Sequence, residues 1–146
     1  MSFLYADTSA LIRAYFVDEP DHEELRMLLR EGTDSVVTST LARVEFASAA
    51  ASAARCGRIS DPTIFQKRFD AEGEKGQLTL LDLDPQTVLP FAFRLVGEYR
   101  LRTLDAIHLA VALTEAKTVA AGAPIALVTR DKDQAEAAKA LGMEVR

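Results

Sequence analysis

The chain has 146 residues, with 22 acidic against 17 basic side chains and a formal net charge of −5. Its hydrophobic share of 49% and charged share of 27% suit one soluble globular domain with a sizeable core. The acidic balance argues against a module that holds nucleic acid through a broad basic face, and a lone cysteine, Cys56, rules out an internal disulfide.

The first strand is expected at "SFLYAD" and a helix at "TSALIRAYF". This apolar start lacks a basic n-region and Asp7 interrupts it, so it does not read as a secretion signal. A second helix is expected from Asp21 to Arg30, closed by Gly32, then a strand at "DSVVTS". "TLARVEFASAAASAAR" predicts a helix rich in small residues that ends at Gly57. "SDPTIFQKRFDAE" carries a helix start, Asp61 followed by Pro62 at the first helical position.

A strand at "GQLTLLDLD" precedes a helix through "TVLPFAFRLVGEYR", where Pro90 is tolerable only in the first turn. The apolar spacing then runs helically from Leu101 to Ala116. "PIALVT" predicts a strand, "DQAEAAKALG" a helix and "MEVR" a short final strand. The longest uncharged run, residues 118–129, falls short of the ~20 residues a membrane span requires. No Cys/His pair has zinc-ligand spacing. The expectation is a cytoplasmic protein without a membrane segment. Alternating strands and helices, with unbroken apolar runs such as "SVV" and "IALV", predict a three-layered α/β domain around a parallel sheet.

Four acidic residues stand out. Asp7 and Asp131 each sit where a strand gives way to a helix, a position that lies at the carboxyl edge of a parallel sheet, where ligands bind. Glu45 is the only acid in an otherwise small and apolar helix. Asp105 shares a helical stripe with Leu109, Ala112 and Ala116, a stripe a helix normally buries. A carboxylate there costs several kcal/mol unless compensated. Each acid also has a plainer reading. Asp7 and Asp131 can cap the helices they precede. Asp105 can answer the helix dipole, with Thr103 as cap. Glu45 can pair with an arginine or reach solvent. One hypothesis covers all four: carboxylates crowded into one pocket stay ionised when a cation holds them. Mg²⁺ or Mn²⁺ is the natural occupant of an all-oxygen site.

Four stretches carry a family likeness: "YADTSALIRAYF", "TSTLARVEFASA", "LRTLDAIHLAVAL" and "LVTRDKDQAEAAKALGMEV". In order and spacing they resemble the PIN-domain ribonucleases, most closely the VapC-type toxins of bacterial toxin–antitoxin pairs. The resemblance implies a single PIN domain over residues 1–146, with a three-layer α/β/α fold and a central, mostly parallel sheet. It implies that Asp7, Glu45, Asp105 and Asp131 form the catalytic, metal-binding site for Mg²⁺ or Mn²⁺, with Asp7 and Asp105 the most direct ligands. Asp133 ranks below them as an assistant, and the hydroxyls of Thr8, Ser9 and Thr129 are candidates to support the acids. The implied chemistry is hydrolysis of an RNA phosphodiester by a metal-activated water. The implied partners are an RNA substrate, a second copy of the chain and a cognate antitoxin. Leu25, Met27, Leu28, Leu29 and the helix from Ala42 are candidates to line the antitoxin's groove.

Arg13, Arg43, Arg102, Arg130 and Lys132 are candidates to guide RNA. Phosphate contacts of this kind position a substrate without reading its sequence. His108 stands one turn after Asp105. It is read mainly as structural, because a metal-bound water needs no imidazole base. His22 is expected on the surface and Cys56 as a small buried residue near a helix end. Three other readings compete: a non-catalytic PIN-like module that binds RNA or a partner, a PIN nuclease of RNA processing without an antitoxin, and a phosphotransfer protein. The last is disfavoured, because Ser9 stands where a phosphatase wants its second acid and the acidic pair of a receiver is absent.

Overall fold

The computed structural model describes residues 2–146. In chain order its elements are β1 (Phe3–Ala6), α1 (Thr8–Tyr15), α2 (His22–Leu29), β2 (Ser35–Ser39), α3 (Leu41–Arg55), α4 (Pro62–Glu74), β3 (Leu78–Leu81), α5 (Pro85–Glu98), α6 (Thr103–Leu113), α7 (Glu115–Ala120), β4 (Ile125–Val128), α8 (Lys132–Ala140) and β5 (Glu144–Val145). The strands form one sheet in the order β3-β2-β1-β4-β5, with every pairing parallel. Leu4 lies opposite Val36 on one side and Ala126 on the other, which places β1 at the centre. The strand order reverses beside β1, so a crevice opens past the carboxyl ends of β1 and β4.

Side-chain alternation along the strands divides the interior into two cores. Leu4, Ala6, Val36, Ala126 and Val128 pack with residues of α1, α2, α3 and α4. Tyr5, Val37 and Leu127 face the other way, onto α5, α6 and α8. α3 and α6 therefore belong to opposite helical layers and meet only past the sheet edge. The first core is anchored by aromatic rings. Phe46 lies 4.7 Å from Phe69, 4.9 Å from Tyr15 and 5.9 Å from Phe16, centroid to centroid. Beside it Glu72 of α4 accepts from Arg30, just past the end of α2, and from the Tyr15 hydroxyl of α1, which closes that layer with a half-buried ion pair.

Helix starts follow the sequence where a side chain supplies the cap. Asp61 accepts from the Thr63 amide, and Asp84 from the Gln86 amide, each with proline at the first helical position. Pro90 departs from expectation: it is the sixth residue of α5, past the first turn. The helix forfeits the hydrogen bond to the Gln86 carbonyl, and α5 holds because Val88, Ala92 and Leu95 are buried in the second core. The helical run from Leu101 also breaks. Thr114 takes φ −119° and ψ −83° between α6 and α7, and its hydroxyl turns back to the Ala110 carbonyl. Among the described residues no helix is long and apolar enough to cross a membrane.

Two minor expectations are corrected. His22 is buried rather than on the surface, because its ring is held against the Arg13 carbonyl at 2.7 Å. Cys56 is exposed, since it lies just beyond the last turn of α3 where the chain turns away at Gly57. Phe46→Ala should cost about 3–5 kcal/mol, the usual range for emptying a buried aromatic site. Urea unfolding checks this, and a loss below about 1 kcal/mol would show that the ring cluster does not anchor this layer.

Candidate active site

The ends of β1 and β4 are tied together by short polar side chains. Asp7 caps α1, its Oδ2 accepting from the Ser9 amide at 3.2 Å and the Ser9 hydroxyl at 2.7 Å. The Ser9 hydroxyl in turn accepts from the Arg130 amide, and Thr129 Oγ1 accepts from the Asp131 amide. Asp131 caps α8, taking the Gln134 amide on Oδ1 at 2.8 Å. The capping expected of both aspartates therefore holds, and in each it engages one carboxylate oxygen. The opposite oxygen, Oδ1 of Asp7 and Oδ2 of Asp131, faces other partners.

The remaining acids arrive from the helical layers. Glu45, on the second turn of α3, accepts at Oε1 from the Thr8 hydroxyl at 3.0 Å and lies 2.5 Å from Nε2 of His108. It pairs with a histidine rather than an arginine. Asp105 is in the first turn of α6, as expected. Its helix is not capped by Thr103. Arg102 occupies the cap position and makes no side-chain cap bond. Instead, the Arg102 guanidinium reaches Asp105 Oδ2 at 3.3 Å and Asp131 Oδ2 at 3.6 Å. It does so while 85% of its side chain stays exposed.

Asp7, Glu45, Asp105 and Asp131 all line one cavity of about 550 Å³, together with Thr8, Ser9 and Arg102. Ile12, Val44 and Leu104 supply an apolar wall. The acids are not drawn into a ready cluster: among the described residues, no three His, Cys, Asp or Glu side chains converge closely enough to hold one ion. Asp133 lies outside the cavity, exposed on α8. Of the basic candidates only Arg102 lines it. Arg13 and Arg130 pair with Asp21, and Arg43 with Asp70.

The electrostatics record crowding. Burial, then the charges of Asp7 and Asp131, push the Asp105 carboxyl above its ordinary range, with Arg102 opposing. His108 has no exposed surface. Burial alone would lower its pKa, but the Glu45 hydrogen bond and the charges of Asp7, Glu45 and Asp105 carry it above the ordinary imidazole value. The ring does not touch Asp105. Its Nδ1 meets the Tyr5 hydroxyl at 2.8 Å, and Nε2 also lies 3.1 Å from the Thr8 hydroxyl.

Two residues were not flagged by the sequence. Tyr5 reads there as an ordinary strand aromatic. Gln134 is fully buried, and its amide nitrogen donates to the Asp105 carbonyl at 3.1 Å and lies 3.5 Å from Asp7 Oδ1. The signal for Gln134 was present: Asp131 followed three residues later by glutamine is the spacing of a capping box. Here the glutamine side chain leaves the box and bridges α8 to α6 and β1.

Asp105→Asn should raise the melting temperature of the metal-free protein at neutral pH by about 2–4 °C, what ~1 kcal/mol does in a domain of this size. A carboxyl whose folded pKa is raised destabilises the fold above that pKa and costs nothing where it is protonated in both states. The gain should therefore fade as pH falls through the carboxylate range. Calorimetry across pH checks it, and an unchanged or lower melting temperature would exclude repulsion at Asp105.

The description "PIN domain" belongs to the family model that matches residues 4–140. No protein of curated function is significantly similar in sequence. Several solved structures share the fold. One is a toxin–antitoxin complex from Klebsiella pneumoniae, matched at 20% identity with a TM-score of 0.61 over 91% of this chain and 89% of that one. Another is VapBC2 from Rickettsia felis bound to a DNA fragment from its promoter, matched at 12% identity with a TM-score of 0.65 over 99% of this chain and 97% of that one. With the match spanning nearly its whole length, the chain belongs to the PIN domain family.

Proposed function

We propose that this protein is a metal-dependent endoribonuclease, the toxin of a type II toxin–antitoxin pair. The observation that carries the reading is that Asp7, Glu45, Asp105 and Asp131, contributed by four separate elements, line a single cavity at the carboxyl edge of the sheet. Membership of a family of nucleases supports hydrolysis of a phosphodiester, and structural neighbours that are a toxin–antitoxin complex and VapBC2 support the antitoxin.

The donors fit a hard divalent cation. They are all oxygens, burial and then the charges of Asp7 and Asp131 raise the Asp105 carboxyl, and the cation beside Asp105 and Asp131 is a solvent-exposed guanidinium that an ion can displace. Asp7 and Asp105 are the closest candidates to hold Mg²⁺ or Mn²⁺, with Glu45 and Asp131 completing the set. When bound, such an ion acidifies a water and offsets charge developing on a phosphate. The chain's own part is to hold the carboxylates ionised, shape the cavity and admit the backbone of the substrate. Once its carboxylates are engaged elsewhere, Arg102 is the guanidinium best placed to meet a phosphate. Leu25 and Leu29, expected to line the antitoxin's groove, are buried in the first core; Ile12, Val44 and Leu104 instead form the apolar side on which an antitoxin segment docks. For the homodimer, α5 offers an exposed stripe of Leu89, Phe93 and Val96, Phe93 being 81% exposed.

One observation favours a second reading, a non-catalytic PIN module: the absence of a preformed ligand cluster among the described residues. Cleavage of bacterial total RNA in Mg²⁺, Mn²⁺ and EDTA, with the ends mapped by sequencing, separates the two. Cleavage should require a divalent ion and fall at least about 100-fold in Asp7→Asn and Asp105→Asn, the loss of ~3 kcal/mol or more of barrier lowering. Calorimetric titration with Mn²⁺ decides the case of no cleavage: an absence of binding would establish the non-catalytic module.

A further inference from the structure

The nuclease reading leaves His108, a buried polar group beside the cavity, without a task. Its ring stands on α6, in the layer opposite α3, and spans the sheet edge to Glu45 with no exposed surface of its own. We infer that His108 is a positioning residue: its Nε2–H grips Oε1 of Glu45, while Tyr5 holds the far side of the ring. The consequence for cleavage rests on the nuclease reading; the grip itself does not.

Three observations carry the inference. An ionised carboxylate only accepts hydrogen bonds, so the 2.5 Å contact to Glu45 Oε1 requires the hydrogen on Nε2. The Tyr5 hydroxyl, 2.8 Å from Nδ1, can donate or accept. It therefore fixes the plane of the ring whichever charge state the imidazole takes. Finally, the Thr8 hydroxyl donates to the same Oε1 at 3.0 Å. Two donors thus converge on one oxygen, and among the described residues no hydrogen bond or ion pair reaches Oε2. A glutamate with three free rotors is held by one oxygen and offers the other to the cavity it lines. A histidine serving only to fill the core would need partners, but it would have no reason to take the cavity's own glutamate as one. Partners of this outer kind typically change metal affinity or activity 10–100-fold when removed.

The grip is read directly by proton NMR of the metal-free protein. A solvent-protected, far-downfield ring N–H is expected, absent in His108→Gln and shifted upfield in Glu45→Gln. The absence of such a resonance, or one that Glu45→Gln leaves in place, would overturn the inference whether or not the protein cleaves RNA. Kinetics test the consequence. His108→Gln, whose terminal amide can stand where Nε2 stands, should keep kcat within about 5-fold at saturating Mn²⁺. His108→Leu should lose about 10–100-fold in kcat with KM little changed. A folded His108→Leu with wild-type kcat would overturn the positioning role. Should His108→Leu fail to fold, Thr8→Val removes the second donor and should lower kcat without moving KM. An unchanged kcat there would count equally against it. Wild-type protein that neither cleaves RNA nor binds Mn²⁺ would defeat the nuclease reading and leave the NMR result standing for the grip.

Discussion

Repulsion among four carboxylates that share one cavity governs much of what surrounds them. Asp7 and Asp131 each commit an oxygen to a helix N-terminus, where backbone amides and the dipole favour negative charge. Glu45 is met by two hydrogen-bond donors, and Asp105 and Asp131 share a guanidinium. These arrangements lower the cost of the charge without removing it: burial, and after it the charges of Asp7 and Asp131, still raise the Asp105 carboxyl. A site that is nearly but not fully neutralised suits an incoming cation. Complete neutralisation by buried arginines would leave a divalent ion nothing to gain.

The fold makes the gathering possible because a parallel sheet sends all its carboxyl ends to one edge. β1 lies at the centre of the strand order, with β2 on one side and β4 on the other. The loops after β1 and β4 thus become neighbours, and Ser9, Thr129 and the Arg130 amide stitch them together. Glu45 and Asp105 reach the same place from helices on opposite faces. No local motif in the sequence spans such distances.

The strands and most helix starts were legible because their causes are local. Asp61 with Pro62, the apolar run "IALV" and Gly57 after a small-residue helix each act within a few residues of themselves. Pro90 and Thr114 misled for different reasons: burial carries one helix through a missing hydrogen bond, and the other breaks inside a continuous apolar pattern where the Thr114 hydroxyl turns back to the Ala110 carbonyl. For the site, the acids could be named from residue type and position, since charge on a buried face demands explanation. Their company could not. His108 and Tyr5 are common core residues until they are placed 2.8 Å apart beside Glu45, and that contact joins residues 103 positions apart in sequence.

The two walls of the cavity rise from separately packed interiors: Ile12 and the helix that carries Glu45 pack into one, the helix that carries Asp105 into the other. Besides the sheet, the main polar link between them near the cavity is His108 with its partners. The width of the mouth is therefore set by where the two helical layers sit relative to each other. Anything that bridges the mouth, whether ion, nucleic acid or protein segment, would work as a crosslink between the two helical layers. Its stabilising effect should reach amides deep in both interiors, far beyond the residues it touches.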